Sequence, residues 1–257
     1  MDIVLIGSGN VATVLGRKSL AAGHRIVQVY SPNDRHANIL ATRLGTSSTS
    51  YISSIEKKAD LMIIALRDVD AVRFVKDLGK INFIAAHTAG ALSINEIQSV
   101  SGTFGVIYPL QSLCKEIEII PPLSILVDGN DQHTKDQLKK FASTLSATVI
   151  EANDENRLKY HLAATIVNNF TNHLFVLVES FCEKENISFA VLQPLLEETV
   201  MRLRYTSPAE VQTGPALRND QITIEKHKTM LKTYPALKEF YELFTLEIQK
   251  SVLGIKL

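Results

Sequence analysis

Short apolar runs alternate with amphipathic stretches through the first part of the chain, at 3–6, 26–30, 61–66, 83–87, 104–107, 124–127 and 148–151. Each run has strand length and a turn residue or polar cluster beyond it, so each predicts a strand. The stretches between them predict helices over 10–22, 34–44, 55–58, 70–78, 94–100 and 132–145. Strands alternating with helices imply parallel pairing, with crossover helices covering the sheet. Gly23 falls just past the first helix, where a left-handed C-terminal cap is expected, and Pro121-Pro122 marks an extended break.

Beyond residue 152 the pattern becomes almost purely helical. Over 154–184 the residues Leu162, Ile166, Phe170, Leu174, Leu177 and Phe181 recur in steps of three or four, which predicts one long helix. Further helices are expected over 189–204, 222–232 and 236–251, and Ser207-Pro208 has the form of a capped helix start. The expected fold class is α/β, a Rossmann-type doubly wound and mostly parallel sheet at 1–152, followed by an all-α domain at 153–257.

The first strand ends in Gly7-Ser8-Gly9-Asn10-Val11-Ala12, a G-x-G-x-x-A turn that opens a helix. The first glycine permits the tight turn, and the second lets backbone N–H groups approach a pyrophosphate. Ala12 lets helix and sheet pack closely, while the helix N-terminus favours negative charge. Strand, spacing and helix agree on a dinucleotide site; the plain alternative is a simple strand-to-helix turn. Where an NAD site usually places Asp or Glu after the second strand, this chain has Ser31, followed by Asn33 and Arg35. A carboxylate there would repel a 2′-phosphate, whereas Ser, Asn and Arg can donate to it, so NADP is the expected cofactor. Asp34 opposes that preference unless it caps the next helix. Leu66, at the end of the third run, completes the expected cofactor set.

Composition narrows the class. The 257 residues carry 27 Lys plus Arg against 27 Asp plus Glu, with 46% hydrophobic and 21% charged residues. That is a globular profile, and the absence of a basic field argues against broad nucleic-acid binding. Cys114 and Cys182 lie far apart without metal-type spacing, which argues against a disulfide framework or a zinc site and fits a reducing cytoplasm. The apolar run directly after Met1 leaves no basic leader or cleavage site. The stretch 160–178 lacks Asp, Glu, Lys and Arg and has the length of a membrane span. Its His161, Asn168, Asn169, Asn172 and His173 would be costly in lipid, so it is read as a buried helix.

Several segments together resemble a family: Gly7 to Ala12, His87-Thr88-Ala89-Gly90-Ala91-Leu92-Ser93, Tyr108-Pro109-Leu110-Gln111-Ser112, Tyr160-His161-Leu162-Ala163-Ala164, and Thr213-Gly214-Pro215-Ala216-Leu217-Arg218-Asn219-Asp220. They resemble the Rossmann-like group named for deazaflavin-dependent NADP oxidoreduction, which carries a C-terminal domain of unknown function. More distantly, the chain is similar to pyrroline-5-carboxylate reductase and to 6-phosphogluconate and 3-hydroxyacid dehydrogenases. The resemblance implies a homodimer formed through the helical domain and, as co-substrate, a deazaflavin. The group often has His where this chain has Tyr108, and Gly where it has Asn219. The 3-hydroxyacid dehydrogenases carry a lysine three residues before an Asn pair; Thr165 stands there, ahead of Asn168-Asn169, which counts against a 3-hydroxyacid substrate.

At 3.6 residues per turn, His161, Thr165, Asn168 and Asn172 share one face of the long helix, with Ile166, Phe170, Leu174 and Leu177 opposite. Uncharged donors and acceptors there suit a cleft or a subunit interface better than a solvent face, which is usually rich in Lys and Glu. Histidine exchanges protons near neutral pH, so His161 is the expected proton donor, with Asn168 or Asn169 orienting a carbonyl or imine. His87, at a strand end, either helps position the ligand or satisfies a backbone carbonyl. Tyr108 and Gln111 follow another strand, and together with Thr165 and Arg218 form the expected substrate lining. Arg218 and Asp220 are also candidates for a structural ion pair. The expectation is an NADP-dependent oxidoreductase moving hydride between nicotinamide and a small C=N or C=O substrate or a deazaflavin. The alternative is a non-catalytic NADP-binding redox sensor or assembly module.

Overall fold

Each apolar run becomes a strand in the computed structural model, which describes residues 1–252. The strands are β1 (Asp2–Ile6), β2 (Arg25–Tyr30), β3 (Ser47–Thr49), β4 (Leu61–Ile64), β5 (Ile84–His87), β6 (Phe104–Leu110), β7 (Ser124–Gly129) and β8 (Thr148–Glu151). They form one sheet in the order β3-β2-β1-β4-β5-β6-β7-β8, parallel throughout except for the antiparallel pair β6–β7. The crossover helices are α1 (Asn10–Ala21), α2 (Asp34–Leu44), α3 (Asp68–Leu78) and α4 (Gln132–Leu145).

Alternation along the strands explains why both faces are covered. Ile3, Leu5, Leu61 and Ile63 point to a core shared with Leu15, Leu40, Leu44, Leu138 and Phe141, and so with α1, α2 and α4. Val4, Ile6, Met62 and Ile64 point to the opposite core, closed by Ala71, Phe74, Val75 and Leu78 of α3. Central strands buried on both sides read as continuous apolar runs, as these do. Gly23 has φ +81°, in agreement with the expected cap.

The differences are local. β3 consists of Ser-Ser-Thr and carries no apolar signature; it forms by pairing with β2. The helix expected at 55–58 does not form, a 3-10 turn at Ile52–Ser54 preceding it, and the one expected at 94–100 is reduced to a 3-10 turn at Ile94–Ile97. β4 stops at Ile64, so Leu66 lies beyond the strand. β6 continues past Ile107, and its Pro109 is tolerated because the pairing with β5 has already ended at Val106.

Contacts divide the chain into two units, Met1–Ile166 and Val167–Leu257. The sheet unit thus includes α5 (Asp154–Ala164), which carries His161. The long helix is not uniform: a π-helical segment, Thr165–Phe170, follows α5 and precedes α6 (Thr171–Lys184). At its start the Thr165 hydroxyl donates to the His161 carbonyl at 2.9 Å, a back-bond that competes with the regular ladder. The 3.6-residue period therefore does not carry from His161 through to Asn172.

The second unit contains α6, α7 (Gln193–Arg202), α8 (Pro208–Val211), α9 (Gln221–Met230) and α10 (Pro235–Val252). α8 opens on a capping box between Ser207 and Glu210, as the Ser-Pro pair suggested. Among the described residues no helix is long and apolar enough to cross a membrane, no His/Cys/Asp/Glu group could hold a metal, and both cysteines are free.

Candidate active site

The glycine turn leaves β1 at Gly7, whose N–H donates to Tyr30 O on β2 at 2.7 Å. Gly7 has φ +111°, and a Cβ there would stand 2.3 Å from the Ala65 carbonyl oxygen, so only glycine fits. Gly9 precedes α1 with extended backbone, and nothing lies within 4 Å of where its Cβ would be. The first turn of α1 has no side-chain cap and no acidic residue. Its first N–H groups thus have no side-chain cap, and the positive end of the helix dipole lies behind them, the environment an anionic pyrophosphate requires. Ala12 is fully buried against the sheet, Val11 is half-buried, and a Cβ at Gly7 would also stand 3.4 Å from Leu66 Cδ2.

At the neighbouring strand end the Ser8 hydroxyl donates to Ser31 Oγ at 2.9 Å, joining the glycine turn to the tip of β2. Asn33 caps α2 by accepting from His36 N–H at 3.0 Å, Asp34 lies in the first turn of that helix, and Arg35 is exposed. Asp34 is therefore placed to favour the dipole of α2. The segment 111–122 was not anticipated near this loop. Its Lys115 N–H donates to Asn10 Oδ1 at 3.4 Å, while Arg17 and Arg43 donate to Ile117 O and Lys115 O at 2.9 and 3.3 Å. Gln111 closes the segment by donating to Pro122 O at 3.2 Å. The contacts of Asn10, Arg17 and Arg43 with this segment join residues 72 to 105 positions apart and leave no local sequence signal.

A second cluster stands at the carboxyl ends of β5 and β6, where parallel sheets place their ligands. Tyr108 Oη and His161 Nδ1 are hydrogen-bonded at 2.8 Å, with the rings edge to face. Burial pushes the Tyr108 phenol above its ordinary value, opposed by the charge of Arg157. Gly90 lies directly against the pair: a Cβ there would stand 2.7 Å from His161 Nδ1 and 3.0 Å from Tyr108 Cζ. Sequence reasoning nominated both residues, but separately, and it did not foresee the bond between them.

His87, at the end of β5, is fully buried. Its Nδ1 accepts from Ala89 N–H at 3.2 Å, and burial, aided by the charge of Arg157, pushes its pKa down to about 4. Asp154 and Arg157, both on α5, were missed: on sequence they look like ordinary first-turn residues of an exposed helix. Asp154 accepts from Ser93 Oγ at 2.6 Å and from Ile94 N–H at 3.1 Å, and it pairs with Arg157 at 2.7 Å. Burial alone would raise the Asp154 carboxyl, but these bonds outweigh it and hold it below the ordinary range.

Thr165 is half-buried, one turn beyond His161, whereas Asn168, Asn169 and Asn172 are exposed and belong to the second unit. Ile166 and Phe170, on the face expected to be buried, are 50% and 56% exposed. Arg218 is exposed, and Asp220 caps α9 by accepting from Thr223 N–H and Oγ1 at 3.1 and 2.7 Å. Among the described residues no ion pair within 4.0 Å joins Asp220 to Arg218, although the Arg218 charge helps hold the Asp220 carboxyl below its ordinary range after its bonds to Thr223.

Residues 2–83 match the family model described as NADP oxidoreductase coenzyme F420-dependent, and residues 123–248 match a domain of unknown function, DUF2520. No match is found among curated proteins. A crystal structure from Bacteroides fragilis, named as a putative NADP oxidoreductase, is 34% identical with a TM-score of 0.90, covering 97% of this chain and 98% of that one. The reductive aminase of Aspergillus terreus, solved with NADPH and ethyl-5-oxohexanoate, is similar in fold at 13% identity, with a TM-score of 0.73 over 98% and 94%. So is 1-pyrroline-5-carboxylate reductase of Streptococcus pyogenes, at 12% identity and TM-score 0.66 over 97% and 98%. With a third of its residues shared along nearly the full length of the Bacteroides fragilis protein, and with the same fold, this chain belongs to that NADP oxidoreductase's family, its own halves matching the F420-dependent-type model and DUF2520.

Proposed function

We propose that the protein is an NADP-dependent oxidoreductase acting on a small C=N or C=O substrate. The observation that carries this reading is the uncapped, acid-free start of α1 behind Gly7, in the same unit as the bonded Tyr108–His161 pair. The N–H groups of Ser8 to Val11 would hold the pyrophosphate, and Ser31, Asn33 and Arg35 would receive the 2′-phosphate. When bound, the nicotinamide supplies or accepts the hydride. His161 handles the accompanying proton. As an imidazolium it donates from Nε2 to the substrate oxygen or nitrogen while Nδ1–H donates to Tyr108 Oη. Having given up the Nε2 proton, the neutral ring keeps Nδ1–H and goes on donating to Tyr108 Oη, so the pair stays bonded on both sides of the transfer. Thr165 and Gln111, in the same unit as the pair, are proposed as substrate contacts.

Calorimetry with NADPH and NADH tests the cofactor: tighter binding of NADPH is expected, and equal affinities would refute the 2′-phosphate site. Oxidation of NADPH is then followed with cyclic imines, with ketones plus amines, and with a deazaflavin. Turnover is expected with one of these classes, and His161→Ala should lower it about a hundredfold or more. NADPH binding without turnover across the panel would instead favour a redox sensor.

The second unit exposes Val167, Phe170, Val176, Val191, Leu195 and Val200, each at least half accessible. So many exposed large apolar side chains on one unit favour an interface, and we propose a second copy of the chain as its occupant. Sedimentation at micromolar concentration should give a dimer; a monomer would overturn the assignment.

A further inference from the structure

We propose that Arg157 is a positioning residue for the Tyr108–His161 pair, acting through the turn at residues 88–93. The proposal rests on the role given to that pair above.

Arg157 and His161 lie four residues apart on α5, and thus on one face of the helix. The guanidinium is only 1% exposed, a rare state for an arginine and a costly one unless its donors are used. Nη2 donates to Leu92 O and, at 2.7 Å, to Asp154 Oδ1. Asp154 in turn accepts from Ser93 Oγ and Ile94 N–H. Two helical residues thus grip three consecutive residues of the loop after β5.

The other end of that loop is also tied. Thr88 N–H donates to Ile64 O at 3.2 Å, and Ala89 N–H donates to His87 Nδ1. Gly90 sits between the two anchored ends, in the contact with His161 Nδ1 and Tyr108 Cζ that leaves no room for a Cβ. Slack at residues 92–94 would let this turn move, and the imidazole and phenol would lose the wall that holds them together. Side chains held by a packed support keep the geometry that proton transfer needs, and a displacement of about 1 Å is worth about a hundredfold in rate. The Nε and Nη1 atoms of Arg157 have no acceptor among the described residues, so its charge is only partly compensated and is felt by Tyr108 and His87.

The test is nitrogen NMR on protein carrying labelled histidine, recorded without cofactor. Its outcome is therefore independent of whether the pair ever reduces an imine. In the parent protein, with the ring neutral, His161 should show a single tautomer fixed by its bond to Tyr108 Oη. Arg157→Met should lose that signature and show the tautomer average of a free imidazole. Arg157→Lys, which keeps the charge without the fork, should restore it only in part. Ser93→Ala, which removes one bond at the partly exposed end of the clamp, should move the same signals in the same direction by a smaller amount. Unchanged His161 signals in folded Arg157→Met would overturn the proposal. If that variant does not fold, unchanged signals in Ser93→Ala overturn it instead.

Discussion

Replacing Gly7 by alanine is expected to destabilise the sheet unit by about 3 kcal/mol and to abolish dinucleotide binding. A backbone at φ +111° is strained for any residue with a side chain, and here the new methyl would lie 2.3 Å from Ala65 O. Neither partner can retreat cheaply. Gly7 N–H is bonded to Tyr30 O, and Ala65 N–H to Ile6 O, both at 2.7 Å. Moving either one loosens the end of β1 between β2 and β4, its two partners in the sheet. Urea unfolding followed by circular dichroism should show a lower midpoint at an unchanged slope. Gly9→Ala separates stability from binding. Its backbone is extended and its surroundings are open, so the fold should lose less than about 1 kcal/mol. The methyl would nonetheless enter the space assigned to the pyrophosphate, and NADPH affinity should fall. Undiminished NADPH binding by Gly9→Ala would contradict that placement.

Acidification should destabilise the protein in a way that depends on His87. Its folded pKa is pushed from the ordinary 6.5 to about 4, first by burial and then by Arg157. Below pH 6.5 the unfolded chain therefore binds a proton that the folded chain refuses. The stability due to neutral His87 is complete above about pH 6.5 and is lost as the pH falls toward about 4. A shift of this size corresponds to about 3 kcal/mol. In His87→Asn the amide oxygen can still accept from Ala89 N–H, but nothing titrates. Between pH 7 and pH 4.5, the parent protein should lose about 2–3 kcal/mol more than this variant, measured by urea unfolding at both values. The hydrogen-bonded carboxylates Asp154 and Glu210, held low in the fold, weaken both proteins alike on acidification, and so cancel in the comparison. Equal losses in the two proteins would mean that His87 is not buried in its neutral form.

Much of this architecture was legible because it rests on local periodicity. Ile3 to Ile6 can be read as a strand covered on both faces, and Gly7 to Ala12 as a turn into a helix, without any distant contact. What escaped depends on partners far along the chain or on departures from regular period. Ser47–Thr49 is a strand only because β2 offers it an edge. The π segment at Thr165–Phe170 begins where one hydroxyl bonds back to the preceding turn, and that shift undid the stripe drawn from His161 to Asn172. Arg157 has the sequence context of a solvated helix residue, and only the Leu92 carbonyl, 65 positions earlier, shows that it is buried.

By itself, then, the sequence determined the order of strands and helices, the switch to an all-helical second part, and the glycine turn at the tip of β1. Side-chain polarity and backbone freedom at neighbouring positions suffice for these. Only the tertiary structure decided that Tyr108 bonds to His161, that Gly90 walls the pair in, that His87 is fully buried, and that segment 111–122 is fastened across the helices beside the glycine turn. Each of these joins residues whose nearness is set by strand order and helix packing, quantities that no local pattern encodes.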